Sequence, residues 1–327
     1  MTSRRDFLAT AAASSVLLPV AQGAETISRK FEGVFAIPQT PFTDSGAFDT
    51  ETLVNEVGFL HRTGVQGITW PVNASEWSQL TVDERLAGAE AIIQANRKAE
   101  ASKRPVVVIA VQSDDVDTAV RIARHADKAG ADSILAIPYK SGVKTTDDQQ
   151  MEYYSTIAAA SNKPMFVQAI GDMSVDLVLR IAKKNPTIGY VKDEAGNTSV
   201  RLAEYRRREQ VWGGVFTGKH GPNLVDDLER GAVGQLPAAG FSDLYVATWK
   251  AWKAGRKDLA QELHSKTLLL AMHAVNYGVA GQKYILQLRG VLQNSICRRD
   301  TGALAFDAEA KKAIEATMTY LKPWLKA

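Results

Sequence analysis

Residues 115–139 of the chain, DVDTAVRIARHADKAGADSILAIPY, contain the structural unit that decides the fold. In the first part, small and branched apolar residues recur at helical spacing, and Gly130 stands where such a helix would end. The last part, from Ser133 to Tyr139, is a continuous apolar run typical of a strand that is buried on both faces. A helix followed at once by a strand of this kind indicates one unit of an α/β protein with parallel strands.

The same alternation recurs along the chain from residue 33. Runs with the composition of buried parallel strands cover residues 33–39, 65–72, 105–112, 133–139, 164–170, 188–193, 211–217 and 233–239. Helical patterns accompany them at 49–63, 81–98, 115–129, 146–161, 174–184, 198–209 and 241–254. Eight such units predict an α/β fold of the TIM-barrel class, a closed (β/α)₈ barrel. An open doubly wound sheet is the alternative, and the lack of a glycine-rich phosphate motif after the first strand weighs against it.

The chain divides into three segments. Residues 25–254 are assigned to the barrel, and residues 255–327 to a helical region appended to it, because helical stretches without strands follow at 256–275, 278–293 and 307–325. Residues 1–24 have the pattern of a signal peptide of the twin-arginine class: paired arginines, an alanine-rich apolar run and a small-residue end. The apolar run is short for a membrane span, so an uncleaved anchor is the less favoured alternative. The pattern predicts export, for instance to the periplasm, and a mature chain that is free of the membrane.

Composition narrows the possible functions further. The formal net charge is only +3 and the basic residues are scattered, which argues against nucleic acid as a partner. The single cysteine, Cys297, excludes an intrachain disulfide. The five histidines have no metal-ligand spacing and no nucleotide motif is present, so neither a metal site nor a cofactor is predicted.

Lys192 is the residue on which the functional prediction depends. It ends an otherwise apolar strand, and chemistry in a (β/α)₈ barrel lies at the carboxyl ends of the strands. Burial at such a position favours the neutral amine, which can condense with a substrate carbonyl. The alternative is a lysine that pairs with Asp193 or Glu194 at the rim.

Several motifs, in order along the chain, resemble those of the dihydrodipicolinate synthase / N-acetylneuraminate lyase family. They are GVFAIPQTPFTDSGAFD (33–49), TGVQGI (63–68), ASEWSQLTVDER (74–85), AGADSILAIPY (129–139), IGYVKDEAG (188–196) and VFTGKHGPNLVDDLERGAVG (215–234). The resemblance covers residues 33 to about 325. It implies a TIM barrel with a C-terminal helical region, an assembly that is usually a homotetramer, and Lys192 as the lysine that forms a Schiff base.

The chain departs from the family's motifs at several site positions. The paired threonines that hold a keto-acid carboxylate correspond to Asn73 and Ala74, and the proton-relay tyrosine after strand 5 corresponds to Gln168. A second tyrosine, at the end of strand 4, is replaced by Lys140, next to the retained Tyr139. A glutamine cannot shuttle a proton as a phenol does, so the synthase reaction of the lysine pathway is not expected.

Other residues are therefore expected to complete the site. Tyr190, on the same strand face as Lys192, and Lys140 are predicted to act in catalysis with it; the alternatives are a core aromatic and a solvated rim lysine. The residues predicted to bind substrate are Asn73, Ala74, Ser75, Glu76, Tyr139, Gln168, Lys219 and His220. For Glu76 the alternative is a structural hydrogen-bond acceptor, and for His220 a surface residue.

Two functions remain open on sequence grounds. The first is a Schiff-base lyase or aldolase that acts on a 2-oxo acid or related carbonyl compound and breaks a carbon–carbon or carbon–oxygen bond. The second is an exported barrel that binds a ligand but has lost the chemistry. In either case the expected partners are a small carbonyl compound and further copies of the chain.

Overall fold

A computed structural model describes residues 30–208, 213–299 and 302–327. The predicted signal peptide, residues 1–24, lies outside the described residues. Among the helices that are described, none is both long enough and apolar enough to cross a membrane.

Strands and helices alternate along the barrel. The strands are β1 (Gly33–Ala36), β2 (Gly67–Trp70), β3 (Val106–Ala110), β4 (Ser133–Ala136), β5 (Met165–Ala169), β6 (Ile188–Asp193), β7 (Gly214–Thr217) and β8 (Gly234–Gln235). The helices are α1 (Thr50–Thr63), α2 (Val82–Arg97), α3 (Val116–Ala129), α4 (Asp147–Ala158), α5 (Val175–Lys184), α6 (Thr198–Arg207), α7 (Leu224–Glu229), α8 (Ser242–Lys253), α9 (Lys257–Leu288) and α10 (Ala308–Leu321).

The strands form one closed parallel barrel in sequence order, with β8 paired to β1, which confirms the predicted fold class. Most strands end earlier than predicted, because the residues after them turn into the loops at the barrel mouth. β8 has two residues, where the sequence predicted seven. Helix α7, with six residues, had no predicted range, since it is too short to show a clear helical period.

The inside of the barrel is filled by aromatic residues below the mouth. Phe166 and Tyr190 stack with ring centroids 4.9 Å apart, and Phe35 meets Phe216 edge-on at 4.9 Å. Phe31, which precedes β1, also stacks on Tyr190, with ring centroids 4.9 Å apart. This layer fills the interior of the barrel below the mouth.

The C-terminal helices fold back over the barrel mouth. α9 is bent at Gly278, whose φ of 58° and ψ of −145° are accessible essentially to glycine alone. The bend falls at the first residue of the second of the two helices that the sequence predicted, at 256–275 and 278–293. A buried pair between Arg289 and Asp243 fastens the end of α9 to α8.

Glu56 on α1 is a buried carboxyl group that forms no hydrogen bond to a cationic side chain among the described residues. Glu56 is fully buried and accepts a hydrogen bond from the backbone N–H of Gln39 at 3.1 Å, while its Oε2 has no hydrogen-bond partner among the described residues. Burial raises the pKa of Glu56 to about 8, although the Gln39 N–H and the charge of Lys283 act in the opposite direction. The group is therefore protonated in neutral solution.

Glu56→Gln is expected to stabilise the protein in alkaline solution. The folded state holds the Glu56 proton more tightly than the unfolded state does, so the wild type loses stability as the pH rises from about 4.5 to about 8 and no further beyond. The amide imitates the neutral acid at every pH, and the expected gain at pH 9 is on the order of a few kcal/mol.

Urea unfolding of both proteins at pH 5, 7 and 9 measures this gain. Glu152→Gln, at an exposed position of α4, is the matched control and should leave the pH dependence unchanged. Equal pH dependence in wild type and Glu56→Gln would show that Glu56 is already ionised in the folded protein.

Candidate active site

A cavity of about 810 Å³ opens at the carboxyl ends of the strands. Its floor and walls come from the loops that follow all eight strands and from Lys192 on β6. Residues of α9 on both sides of the Gly278 bend, together with Arg299, form the roof. A deep cavity at this end of a barrel is the expected place for a small-molecule site.

Lys192 lies on the inner face of β6 and lines this cavity. The side chains of Tyr190 and Lys192 point to the same side because they are two residues apart on a strand. The apolar layer around Tyr190 lies beneath Lys192, so the side chain of Lys192 is only 4% exposed. Asp193 points the other way, where it pairs with Arg201 at 2.8 Å and accepts a hydrogen bond from Tyr205.

The amine of Lys192 contacts a carboxylate inside the cavity. Nζ of Lys192 lies 3.2 Å from Oε2 of Glu194, whose side chain is 15% exposed and also lines the cavity. The rim ion pair considered from the sequence thus exists, but both groups are shielded from bulk water and open to the cavity. An amine in such a position can be reached by a bound carbonyl compound.

Glu194 is held by three groups from different strands and loops. Oε2 also accepts a hydrogen bond from Nε2 of Gln168 at 2.5 Å, and Oε1 accepts one from the backbone N–H of Lys219 at 2.8 Å. Burial alone would raise the pKa of Glu194, but the nearby charge of Lys192 and these hydrogen bonds outweigh it and hold the pKa below the usual value. The carboxylate is therefore ionised in the unliganded site.

The loop after β7 adopts an unusual backbone conformation. Lys219, His220 and Gly221 have φ values of 51°, 57° and 53°, and a left-handed conformation at non-glycine residues costs on the order of 1 kcal/mol or more. The Tyr245 hydroxyl donates to the carbonyl of His220 at 2.6 Å and holds the loop in place. Such strain is typical of functional sites, where the surrounding structure maintains it.

His220 is neutral in this setting. Burial lowers its pKa to about 4, the charge of Glu194 opposes that change, and the charge of Lys192 adds to it. Its Nδ1 is enclosed and has no hydrogen-bond partner among the described residues. The imidazole can therefore accept a hydrogen bond from a group bound in the cavity.

The cavity brings together some of the residues that the sequence predicted and leaves others outside. Those that line it are Lys192, Asn73, Ala74, Glu76, Lys219 and His220. Ser75, Tyr139, Lys140, Gln168 and Tyr190 are not part of its lining.

The structure places Tyr190 and Lys140, both predicted to act in catalysis, outside the lining of the cavity. The Tyr190 hydroxyl accepts a hydrogen bond from the backbone N–H of Phe31 at 3.0 Å, at the opposite end of the barrel from Lys192. Lys140 is exposed, and its ammonium lies 5.2 Å above the ring of Tyr139. Their positions match the alternatives that the sequence left open: Tyr190 is a core aromatic residue, and Lys140 is a lysine at the rim.

Three residues predicted to bind substrate instead form hydrogen bonds within the protein, to loop backbone or to other side chains. The Ser75 hydroxyl donates to the Pro38 carbonyl at 2.6 Å and so joins the loops after β1 and β2. The backbone N–H of Tyr139 donates to Oε1 of Gln150 at 2.9 Å, which fastens the loop after β4 to α4. Gln168 is fully buried and reaches the cavity only through its hydrogen bond to Glu194.

Glu76 lines the cavity, but its oxygens are already engaged. Oε2 pairs with Nζ of Lys283 at 2.6 Å, and Oε1 accepts from the backbone N–H groups of Arg298 and Arg299 at 2.7 and 3.0 Å. Glu76 is therefore the structural acceptor that the sequence offered as an alternative, and it ties the C-terminal region to the barrel mouth.

Several cavity residues were missed in the sequence. Glu194 was considered only as an ion-pair partner, although the two-residue alternation through Tyr190 and Lys192 extends to it. Gln282 and Arg299 come from the C-terminal region, where no local pattern indicates which face meets the barrel. Trp77 is not among the missed residues, since its place just after the second predicted strand favoured a position in a pocket; it lines the cavity beside Asn73, whose Oδ1 accepts from the indole N–H at 2.9 Å.

Comparison with known proteins agrees with this geometry. The sequence model of the Dihydrodipicolinate synthetase family matches residues 30–320. A protein of Escherichia coli (strain K12) named "Probable 2-dehydro-3-deoxy-D-pentonate aldolase YjhH" is 29% identical, with 89% of this chain and 97% of that protein covered. The L-2-keto-3-deoxyarabonate dehydratase of Azospirillum brasilense is 27% identical, with 86% and 92% covered.

A solved structure shows the same fold. The dihydrodipicolinate synthase of Rhodopseudomonas palustris superposes with a TM-score of 0.79 at 24% identity, over 89% of this chain and 97% of that one. Because the family match spans most of the chain, this protein belongs to the dihydrodipicolinate synthetase family.

Proposed function

We propose that the protein is a class I lyase in which Lys192 forms a Schiff base with a 2-oxo acid of the 3-deoxy sugar acid type. The observation that carries the proposal is the amine of Lys192, buried beside a cavity of about 810 Å³ with a carboxylate 3.2 Å away. The relatives named above include an aldolase and a dehydratase for such acids.

The chemistry follows from a neutral amine and a ketone. Once the Lys192 ammonium has released a proton to solvent, the free amine attacks the C2 carbonyl to give a carbinolamine. Protonation of its hydroxyl expels water and leaves an iminium ion. In aldol cleavage, loss of the C4 hydroxyl proton and breakage of the C3–C4 bond give an aldehyde and a neutral enamine. In dehydration, loss of a C3 proton gives the enamine, which expels the protonated C4 hydroxyl as water and becomes an α,β-unsaturated iminium ion. Protonation of the enamine at C3 in the first case, and attack of water on the iminium ion in both, release the 2-oxo acid from Lys192.

The polarity of the cavity suits such a substrate. Lys219 and Arg299 supply positive charge that a carboxylate can use, whereas Asn73, Ser78 and Gln282 offer hydrogen bonds to hydroxyl groups. Gln168 in place of the relay tyrosine speaks against the lysine-pathway reaction, as the sequence indicated. We also propose that the enzyme is exported, on the strength of the pattern in residues 1–24.

A turnover assay tests the proposed function. The protein is incubated with 2-keto-3-deoxy pentonates and hexonates at millimolar concentration, and the products are followed by NMR. We expect either pyruvate with an aldehyde, or the dehydrated 2-oxo acid, at a rate within the usual enzymatic range of about 1–10³ per second. Complete recovery of every 2-oxo acid tested would contradict the proposal.

A further inference from the structure

The site lacks the tyrosine that transfers protons in the family's motif, and another residue is placed to take that role. Aldol cleavage and dehydration both need a group that moves protons at C3 or at the C4 hydroxyl. Position 168, near the end of β5, carries an amide, which does not transfer protons at neutral pH. The two residues predicted to take over, Tyr190 and Lys140, lie outside the cavity.

We propose that Glu194 is the catalytic proton-transfer residue of this enzyme and that Gln168 is a positioning residue for it. The inference rests on the proposed imine at Lys192. Glu194 is placed for the task, because Oε2 lies 3.2 Å from the nitrogen that becomes the iminium. C3 of an iminium formed there is two bonds from that nitrogen, so its protons fall within reach of the same carboxylate.

The surroundings of Glu194 hold it in this position. The side chain lies against Gly218, where a Cβ atom would come within 2.0 Å of Oε1, so this approach requires glycine. The left-handed turn of Lys219 and His220 presents the Lys219 N–H to the same oxygen. The Gln168 amide donates to Oε2 on the other side, beside the contact with Lys192.

The charges around Glu194 suit a reversible proton transfer. The charge of Lys192 keeps Glu194 ionised, against the effect of burial, which by itself raises the pKa. An iminium ion preserves that positive charge, so the carboxylate is ready to act as a base. When it removes the C3 proton, the iminium becomes a neutral enamine, the attraction disappears and burial favours the protonated acid. The acid can then return its proton to C3.

Exchange of the pyruvate methyl protons in D₂O isolates this step, since it needs only an imine and a base at C3. Pyruvate is the probe, exchange is followed by NMR, and borohydride reduction with mass analysis measures the imine in the same samples. We expect Glu194→Gln to form the adduct on Lys192 but to exchange about 10²–10⁴-fold more slowly than wild type.

Two further variants make the assignment specific. Glu152→Gln removes an exposed carboxylate in the middle of α4, and this variant should exchange the pyruvate protons at the wild-type rate. His220→Asn tests the imidazole that also lines the cavity, and it should slow exchange at least about tenfold less than Glu194→Gln does, because the carboxylate rather than the imidazole contacts Nζ.

The possible outcomes separate this inference from the function on which it rests. Exchange in Glu194→Gln within threefold of wild type, with the adduct intact, overturns the role of Glu194 and leaves the Schiff base standing. Loss of the adduct in a folded Glu194→Gln protein also overturns it, since Glu194 would then only position Lys192. A large loss of exchange in His220→Asn alone assigns the step to the imidazole. Wild-type protein without any adduct overturns both proposals.

Discussion

Lys192→Arg is expected to reduce turnover of a 3-deoxy-2-keto sugar acid by more than about 10⁴-fold, the scale on which loss of a catalytic nucleophile acts in other enzymes. The guanidinium keeps a positive charge beside Glu194, so the carboxylate remains paired, but it does not condense with a ketone. Lys192→Met, which removes the charge as well, should be equally inactive. The rates are compared by product NMR at saturating substrate.

The control is Lys184→Met, on the exposed end of α5, which should retain wild-type turnover. Thermal shift with the same acids then separates the two functions that the sequence left open. Stabilisation by a ligand that persists unchanged in Lys192→Arg, together with no turnover in wild type, would favour a binding protein over an enzyme. Turnover in Lys192→Arg within tenfold of wild type would rule out a Schiff base at this residue.

Lys283→Met is expected to lower the free energy of unfolding by about 3–5 kcal/mol, the usual cost of breaking a buried pair by removing one partner. Nζ of Lys283 lies 2.6 Å from Oε2 of Glu76 and also donates to the Ile296 carbonyl, and both charged side chains are at most 1% exposed. Without the ammonium, the Glu76 carboxylate would remain buried and uncompensated. Urea unfolding at pH 7 measures the loss.

A second substitution should recover much of that loss. In Glu76→Gln/Lys283→Met no buried charge is left from the pair, so the double variant should be more stable than Lys283→Met alone. Lys312→Met, on the exposed face of α10, is the matched control and should change stability by less than about 0.5 kcal/mol. A cost below 1 kcal/mol for Lys283→Met would show that the pair does not fasten α9 to the barrel mouth.

The sequence predicted the fold well because each barrel unit is local. A buried strand and the helix beside it have their signal within about 25 residues, so the eight strands and most helices were found in the right order. The strand ends were set too late, since the apolar character of residues such as Ile37 and Ile137 continues into the cavity wall. The bend itself was not predicted: two separate helices were expected at 256–275 and 278–293, where the structure has one helix bent at Gly278.

The site was predicted in part, for a physical reason. Period-two alternation shows which residues share a strand face but not how high each lies in the barrel, so Tyr190 was placed in the site although it fills the layer below. Glu194 was not predicted as a site residue, because its position depends on contacts with Gln168 and Lys219, which are 26 and 25 residues away in the sequence. Gln282 and Arg299 reach the cavity only through the folding of the C-terminal region over the mouth.

The most direct test of the central claim is to trap the covalent intermediate. Wild-type protein is mixed with pyruvate and with a 3-deoxy-2-keto sugar acid, reduced with borohydride and digested, and the peptides are mapped by mass spectrometry. We expect one reduced adduct, on the amine of Lys192, and none in Lys192→Arg. An unmodified Lys192 peptide with every acid, or an adduct on a different lysine, would contradict it.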